Sequence, residues 1–150
     1  MRLRDLLRKL QGERVAFDSS FFLHHLTVNS KLQQVTSPVL RLVEGGKSEG
    51  WVSVLILHDI FLGRMTGSLA GAAEACCTVL VNFPHLKFVP ISGAIATAAA
   101  KLESEHGLSP WNALHVSCAR SGAARFFLTS DRSVPVVDGM EPILLASIER

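Results

Sequence analysis

Short apolar runs alternate with longer segments of mixed polarity along the whole chain, and this alternation predicts an α/β fold. Each run is bounded by charged residues, Gly or Pro, as is typical of short buried strands. The predicted strands are RVAF (14–17), GWVS (50–53), LKFVPI (86–91), RFFLT (125–129) and VPVV (134–137). The last segment, EPILLASIER, is predicted to be a terminal helix. Strands that alternate with helices predict a central, mainly parallel sheet with helices on both faces, which is a three-layer α/β/α sandwich.

Acidic residues stand where such a sheet would form a ligand-binding crevice, beyond the C-terminal ends of its strands. Asp18 and Asp131 each follow an apolar strand, so both are expected to project into that crevice. Each could equally be a turn or helix-capping residue. Asp59 lies on a helix whose other sides are nearly all apolar, where an unpaired carboxylate is costly. A metal ion, an Arg or Lys partner, or simple exposure to water would each satisfy it.

The stretch LSPWNALHVSCA (108–119) begins a helix and holds a fourth candidate. Ser109 is a suitable N-cap and Pro110 a suitable first residue, which places Asn112 in the first turn. A carboxylate would gain more than an amide from the unpaired N–H groups and the positive end of the helix dipole. Whether an amide suits this position therefore depends on the acids that stand nearby.

Composition and charge narrow the class of protein. The chain has 150 residues, of which 48% are hydrophobic and 19% charged, and this balance predicts one folded domain. The net charge of +2 is too small to identify a nucleic-acid-binding protein by global electrostatics. The three cysteines form no disulfide pattern, and no apolar run reaches the length of a membrane span. We therefore expect a cytoplasmic protein without a membrane segment.

The three carboxylates of Asp18, Asp59 and Asp131 at one crevice form a ligand set suited to Mg²⁺ or Mn²⁺, since these ions prefer oxygen donors. The sequence has no CxxC or HExxH spacing for zinc. It also has no Gly-rich phosphate-binding loop, which argues against an ATP-dependent or dinucleotide-dependent enzyme. A site for a hard divalent cation is the favoured interpretation.

In combination, these motifs resemble those of the PIN-domain family. The motifs that carry the resemblance are VAFDSS, VSVLILHDIF, HGLSPWNALHVSCA and FFLTSDRS, and the match runs from about Arg14 to the C-terminus. Their order and their positions after strands make the combination specific, although no single motif is. The predicted organisation is an N-terminal helical extension over residues 1–13 and a PIN-like domain over residues 14–150.

The resemblance implies a metal-dependent RNA endonuclease that hydrolyses phosphodiester bonds with Mg²⁺ or Mn²⁺ as cofactor. Many small single-domain members are toxins of the VapC type, so RNA, an antitoxin-like protein and a second copy of the chain are the implied partners. The residues carried over as catalytic and metal-binding are Asp18, Asp59, Asn112 and Asp131, with the hydroxyls of Ser19 and Thr129 as supporting groups. His115 is expected to be a structural histidine beneath the site, and the candidates for phosphate contacts are Arg64 and Arg132.

The sequence departs from the family pattern at two positions. Asn112 stands where the pattern usually has Asp, which keeps an oxygen donor but removes a negative charge. Asp59 stands where Glu is commoner, and its side chain is shorter by a methylene group. The alternative to an enzyme is therefore a catalytically inactive PIN-like module that binds RNA or protein, which Asn112 favours and the retained acids oppose. A receiver-type phosphoacceptor domain is a more distant alternative, because it needs an acidic cluster at the first strand and a Lys after the last.

Two segments predict association between copies of the chain. The N-terminal RLRDLLRKL has its leucines on one face, and LAGAAEACC (69–77) is rich in small residues. Together they supply more apolar surface than a small sheet needs to cover, which favours a homodimer. The N-terminal helix could also hold RNA, although a plain packed helix is the simpler interpretation.

Overall fold

A five-stranded parallel sheet forms the centre of the computed structural model, which describes residues 1–62 and 72–149. Its strands stand in the order β3-β2-β1-β4-β5, and each neighbouring pair is parallel. The strands are β1 (Arg14–Phe17), β2 (Glu49–Ser53), β3 (Leu86–Val89), β4 (Phe126–Thr129) and β5 (Glu141–Leu144). Because all strands run the same way, their C-terminal ends lie at one edge of the sheet.

Seven helices in the described ranges cover the two faces of the sheet. They are α1 (Leu3–Leu10), α2 (Ser19–Leu26), α3 (Gln33–Glu44), α4 (Leu55–Phe61), α5 (Ala73–Val81), α6 (Gly93–His106) and α7 (Pro110–Ser121). The architecture is the α/β sandwich that the apolar pattern predicts. Helices connect β1 to β2, β2 to β3 and β3 to β4, whereas residues 130–140 connect β4 to β5 without a helix.

The alternation of side chains along β1 separates the core into two layers. Val15 and Phe17 face α1 to α5 and belong to the larger apolar cluster, which also holds Phe21 and Phe22 of α2. Ala16 faces the opposite way and packs with residues of α6 and α7. The central strands β1 and β4 are buried on both faces after Arg14, which explains why their sequences are continuous apolar runs rather than alternating ones.

The C-terminal region differs from the prediction. Residues 134–137, predicted as the fifth strand, contain only an isolated antiparallel bridge from Val137 to Met140. The fifth strand is Glu141–Leu144, in the segment predicted as a helix, and a 3₁₀ turn over Leu145–Ser147 follows it. Pairing with β4 and burial of Ile143 outweigh the local helical preference, and Pro142 is tolerated because β5 is an edge strand.

The N-terminal helix α1 is packed into the core of the same chain. Leu6 and Leu10 are fully buried, and Leu3 and Leu7 pack against the larger apolar cluster. The backbone N–H of Leu3 donates to the carbonyl of Glu149 over 2.6 Å, which ties the helix to the C-terminal segment. The apolar face of α1 is therefore covered within the chain rather than presented to a second copy.

Of LAGAAEACC, the part from Ala72 onwards lies at the start of α5, and residues 69–71 lie outside the described residues. Across the described ranges, no helix combines the length and apolar character needed to cross a membrane.

Candidate active site

The four side chains singled out in the sequence line one crevice at the C-terminal edge of the sheet. Asp18 follows β1, Asp131 follows β4 by two residues, Asp59 lies in α4, and Asn112 lies in the first turn of α7. The crevice has a volume of about 150 Å³, and its lining consists of Asp18, Ser19, Ser20, Leu23, Asp59, Trp111, Asn112, His115 and Asp131. The parallel sheet thus brings together residues that lie more than a hundred positions apart in the chain.

Asp18 is both the N-cap of α2 and a wall of the crevice. Its Oδ1 accepts hydrogen bonds from the backbone N–H of Ser20 at 2.9 Å and of Phe21 at 3.3 Å, and a further one from the Ser20 hydroxyl. Its Oδ2 accepts from the hydroxyl of Thr129 at 2.5 Å. Asp18 therefore caps a helix and lines the crevice at the same time, although the sequence presents these roles as alternatives. Its carboxylate is only 4% exposed.

Thr129 connects the two acids that follow strands. Its hydroxyl donates to Asp18 and accepts from the backbone N–H of Asp131 at 2.9 Å. The Thr129 side chain is fully buried, so this linkage is held by the core of the sheet. The hydroxyl predicted as a supporting group thus lies between Asp18 and Asp131.

Asp131 is paired with Asn112. The Asn112 amide nitrogen donates to Asp131 Oδ2 over 2.5 Å, and Oδ1 accepts from the backbone N–H of Ser133 at 2.7 Å. The hydrogen bonds from Ser133 are the largest cause that lowers the pKa of Asp131, and the Asn112 amide lowers it further, while burial acts in the opposite direction. Asn112 therefore stabilises the ionised form of Asp131, which an Asp at the same position would not do.

Asp59 is 1% exposed and lines the same crevice. The indole Nε1–H of Trp111 donates to Asp59 Oδ2 over 3.0 Å. The Nδ1 of His58 lies 3.7 Å from Asp59 Oδ1, and the His58 ring lies 5.1 Å from the Trp111 ring, centroid to centroid. Trp111 thus joins the first turn of α7 to α4 across the crevice.

His115 lies beneath the crevice, as the sequence suggests. Its Nε2 is 3.2 Å from the Ser19 hydroxyl, and its ring is 6.5 Å from that of Trp111 and nearly perpendicular to it. Burial lowers the pKa of His115, and the charges of Asp18 and Asp59 oppose that shift. Its Nδ1 makes no hydrogen bond to any atom of the described residues, so the neutral imidazole is the form that burial favours.

The two serines that begin α2 both line the crevice but have different partners. The Ser19 hydroxyl contacts His115. Ser20 contacts Asp18 instead and also accepts from the backbone N–H of Ser130. Of the two arginines considered for phosphate contacts, Arg132 is exposed next to Asp131, and Arg64 lies outside the described residues.

Trp111, Ser20 and Leu23 line the crevice and were not singled out in the sequence. A signal existed for Trp111, because it lies four residues before His115 and therefore on the same side of α7. Leu23 lies four residues after Ser19 in α2 and follows the same rule. The signal for Ser20 was weaker, since Ser19 and Ser20 are adjacent and only the backbone geometry decides which one reaches Asp18.

The lining has the right chemistry for a hard divalent cation but is not arranged as a complete ligand shell. Three carboxylates and an amide supply oxygen donors. Nowhere in residues 1–62 and 72–149 do three Asp, Glu, His or Cys side chains stand close enough together to hold one metal ion. The amide of Asn112 also presents its nitrogen to Asp131. A cation held by more than two carboxylates would therefore require side-chain rotations in the crevice.

Comparison with known proteins identifies the fold. No protein-family model matches the chain, and no curated protein matches it by sequence. Solved structures of similar fold include VapBC2 from Rickettsia felis bound to a DNA fragment from its promoter, with 10% identity and a TM-score of 0.67 over 87% of this chain and 98% of the other. FitAcB from Neisseria gonorrhoeae is 12% identical with a TM-score of 0.67, over 89% of this chain and 99% of the other.

A third similar structure is VapC20 from Mycobacterium tuberculosis, described as a sarcin-ricin loop cleaving toxin. It is 11% identical with a TM-score of 0.59, over 75% of this chain and 86% of the other. Identities this low establish the fold and not the activity. The chain has the PIN-domain fold of the VapC and FitB toxins, as the order of its motifs predicts.

Proposed function

We propose that this protein is a metal-dependent RNA endonuclease of the toxin type. The observation that supports the proposal most strongly is the meeting of Asp18, Asp59 and Asp131 in one crevice at the C-terminal edge of a PIN-type sheet. A divalent cation is the ligand that such a group of carboxylates suits best.

The residues that would hold Mg²⁺ or Mn²⁺ are Asp18, Asp59, Asp131 and the amide oxygen of Asn112. When bound, the ion would neutralise charge on a phosphate and acidify a water molecule for attack on phosphorus. The chain itself supplies the positioning. Thr129 and Ser20 orient the Asp18 carboxylate, Asn112 orients that of Asp131, and Trp111 orients that of Asp59. Each acid is thus held by donors from another element of the fold.

The proposal includes an antitoxin-like protein partner and a cytoplasmic location, where RNA is available. Structures with the same fold include a toxin-antitoxin complex from Klebsiella pneumoniae, which matches at a TM-score of 0.60, and DNA-bound VapBC from Salmonella typhimurium, at 0.63. A homodimer is also part of the proposal. Because α1 is packed within its own chain, α5 is the remaining candidate for that interface, with Val79 and Val81 being 63% and 49% exposed.

The second candidate is a catalytically inactive PIN-like module that binds RNA or protein. One observation favours it. The neutral amide of Asn112 donates to Asp131, at a position where a further carboxylate would help to attract a cation. The two candidates differ in whether the purified protein cleaves RNA.

The experiment compares cleavage of end-labelled total cellular RNA by the purified chain in Mn²⁺, in Mg²⁺ and in chelator. Asp18→Asn is the test variant, because it keeps the shape of the side chain and removes one charge. Asp5→Asn is the matched control, since Asp5 is a surface residue of α1 whose side chain is 46% exposed. We expect cleavage with either metal ion, none in chelator, and a loss of at least a hundredfold for Asp18→Asn only.

Cleavage that is equal for the parent and Asp18→Asn would assign the activity to a contaminant and overturn the enzymatic proposal. No cleavage by the parent, together with tight RNA binding that survives chelation, would establish the binding module instead. Sedimentation at tens of micromolar, for the parent and for Val79→Asp, tests the homodimer; a parent that sediments as a monomer would contradict it.

A further inference from the structure

Trp111 is an unusual residue for the rim of an acidic crevice. It is the second residue of α7 and stands directly before Asn112, with part of its ring lining the crevice. The side chain is neither buried in the core nor free in solvent, because His58 lies against it on one side and His115 beneath it. The indole is therefore fixed in place while remaining accessible from the crevice.

We infer that Trp111, with His58 beside it, is a stacking platform for a nucleobase of a single-stranded RNA that binds in the crevice. This inference rests on the proposed function, and it assigns to that function a subsite that recognises a base rather than a phosphate. The chemical class of the ligand is an unpaired base in a flexible strand, since a base inside a duplex has no free ring face.

The electrostatics of the crevice give the reason for such a platform. While no cation is bound, the carboxylates of Asp18, Asp59 and Asp131 repel the phosphates of a nucleic acid, so binding then needs a source of free energy that is not electrostatic. Stacking of a base on an aromatic ring is such a source, and it tolerates any sequence because every base has a π face. A tryptophan ring offers the largest face among the side chains.

The geometry fits this role. The hydrogen bond from the indole Nε1 to Asp59 Oδ2 fixes the plane of the ring relative to the acids. The His58 side chain is 54% exposed, and its ring is centred 5.1 Å from the indole and tilted by 52° to it, so the two rings are in contact and form one aromatic surface against which a base can stack. A base stacked on the indole would lie beside Asn112, the next residue of α7, and its partner Asp131.

The first experiment uses tryptophan fluorescence as a direct reporter. The chain has two tryptophans, so Trp51→Phe leaves Trp111 as the single emitter. Trp51 lies on β2 and does not line the crevice. In chelator, which blocks metal-dependent cleavage, this variant is titrated with an oligoadenylate of eight nucleotides and with an abasic chain of the same length. We expect the oligoadenylate to quench and shift the emission and the abasic chain to leave it unchanged.

The second experiment separates the stacking surface from the hydrogen bond. Trp111→Phe keeps an aromatic ring and loses the N–H donor, whereas Trp111→Leu loses both. We expect binding of the oligoadenylate to weaken by about tenfold or more in Trp111→Leu, and by only about threefold in Trp111→Phe, as loss of one stacked base predicts. Binding of the abasic chain should be the same for both variants and the parent.

The outcomes distinguish this inference from the proposed function. Equal weakening in both variants would assign the effect to the hydrogen bond with Asp59 and overturn the stacking platform. Unchanged emission of Trp111 at saturating oligoadenylate would overturn it as well, and this measurement needs no substitution at Trp111 itself. In either case Asp18→Asn would still abolish cleavage if the proposed function is correct. Cleavage that does not depend on Asp18 would instead remove the basis of both.

Discussion

The replacement of Asn112 by Asp tests how the crevice balances its charges. In the parent, the Asn112 amide donates to Asp131 Oδ2 over 2.5 Å, and both side chains are half-buried. In Asn112→Asp the donor becomes an oxygen, so a hydrogen bond is replaced by a repulsive contact between two carboxylates. We expect the variant to be less stable than the parent when chelator is present.

The magnitude follows from three contributions. A hydrogen bond to a charged acceptor contributes about 1.5–3 kcal/mol, and its loss is the first cost. Two unit charges 4 Å apart repel by about 4 kcal/mol at an effective dielectric of 20, which partial exposure and uptake of a proton by the pair both reduce. The helix N-terminus returns about 0.3–1 kcal/mol for a negative charge in its first turn. We expect a net loss of about 2 kcal/mol, or roughly 4–8 °C in melting temperature for a domain of this size.

The assay is urea unfolding and thermal unfolding in chelator at pH 8 and at pH 5. Asn112→Ala is the matched control, because it removes the same hydrogen bond without adding a charge. The difference between the two variants isolates the repulsion, and it should be present at pH 8 and shrink as the pH falls, since one carboxyl of the pair then takes up a proton. In Mn²⁺ the order should reverse, with Asn112→Asp stabilised most, because a cation joins the two carboxylates.

Asn112→Asp that is as stable as the parent in chelator, at low salt and pH 8, would refute this reasoning. Such a result would mean that the carboxylate of residue 112 turns away from Asp131, and that the contact in the parent contributes little. A variant with unchanged affinity for Mn²⁺ would separately show that residue 112 lies outside any cation site.

Three further predictions concern the fold and the crevice. Gly122→Ala should destabilise the protein by about 1–3 kcal/mol in urea unfolding, because a Cβ there would lie 2.3 Å from the Trp51 ring. Gly93→Ala is the control: its added methyl group would meet no neighbouring atom within 4 Å, so the free energy of unfolding should be unchanged or raised. Leu6→Ala should cost about 2–5 kcal/mol, since the side chain is fully buried, and a loss below about 0.5 kcal/mol would mean that residues 1–13 are a dispensable extension. The pKa of His115 is lowered by burial, so the folded state resists protonation more than the unfolded one; its contribution to stability is complete above pH 6.5 and is lost as the pH falls below that value. His115→Gln should reduce the loss of stability between pH 7 and pH 5, and an unchanged pH profile would contradict the assignment.

The sequence alone determined the fold class and four of the polar residues that line the crevice. The central strands β1 and β4 are buried on both faces, so their sequences are apolar enough to be recognised without tertiary information. Asp18, Asp59, Asn112 and Asp131 could be placed because a parallel sheet fixes which ends of the strands meet, and the chain marks those ends with polar residues after apolar runs. Ser109 and Pro110 also identify the start of α7, because helix capping depends on the local sequence.

Only the tertiary structure decided features that depend on contacts between distant segments. The C-terminal segment 141–147 has a composition that suits a helix, and it became β5 and a 3₁₀ turn because the free edge of β4 supplied backbone partners that no local pattern records. The different partners of Ser19 and Ser20, which are His115 and Asp18, depended on the direction in which α2 leaves β1. The pairing of Asn112 with Asp131 and of Trp111 with Asp59 depended on how α7 is seated against the sheet and α4. Hydrophobic periodicity determines which residues are buried, but the partner of a polar side chain depends on the directions and distances that the packed elements establish.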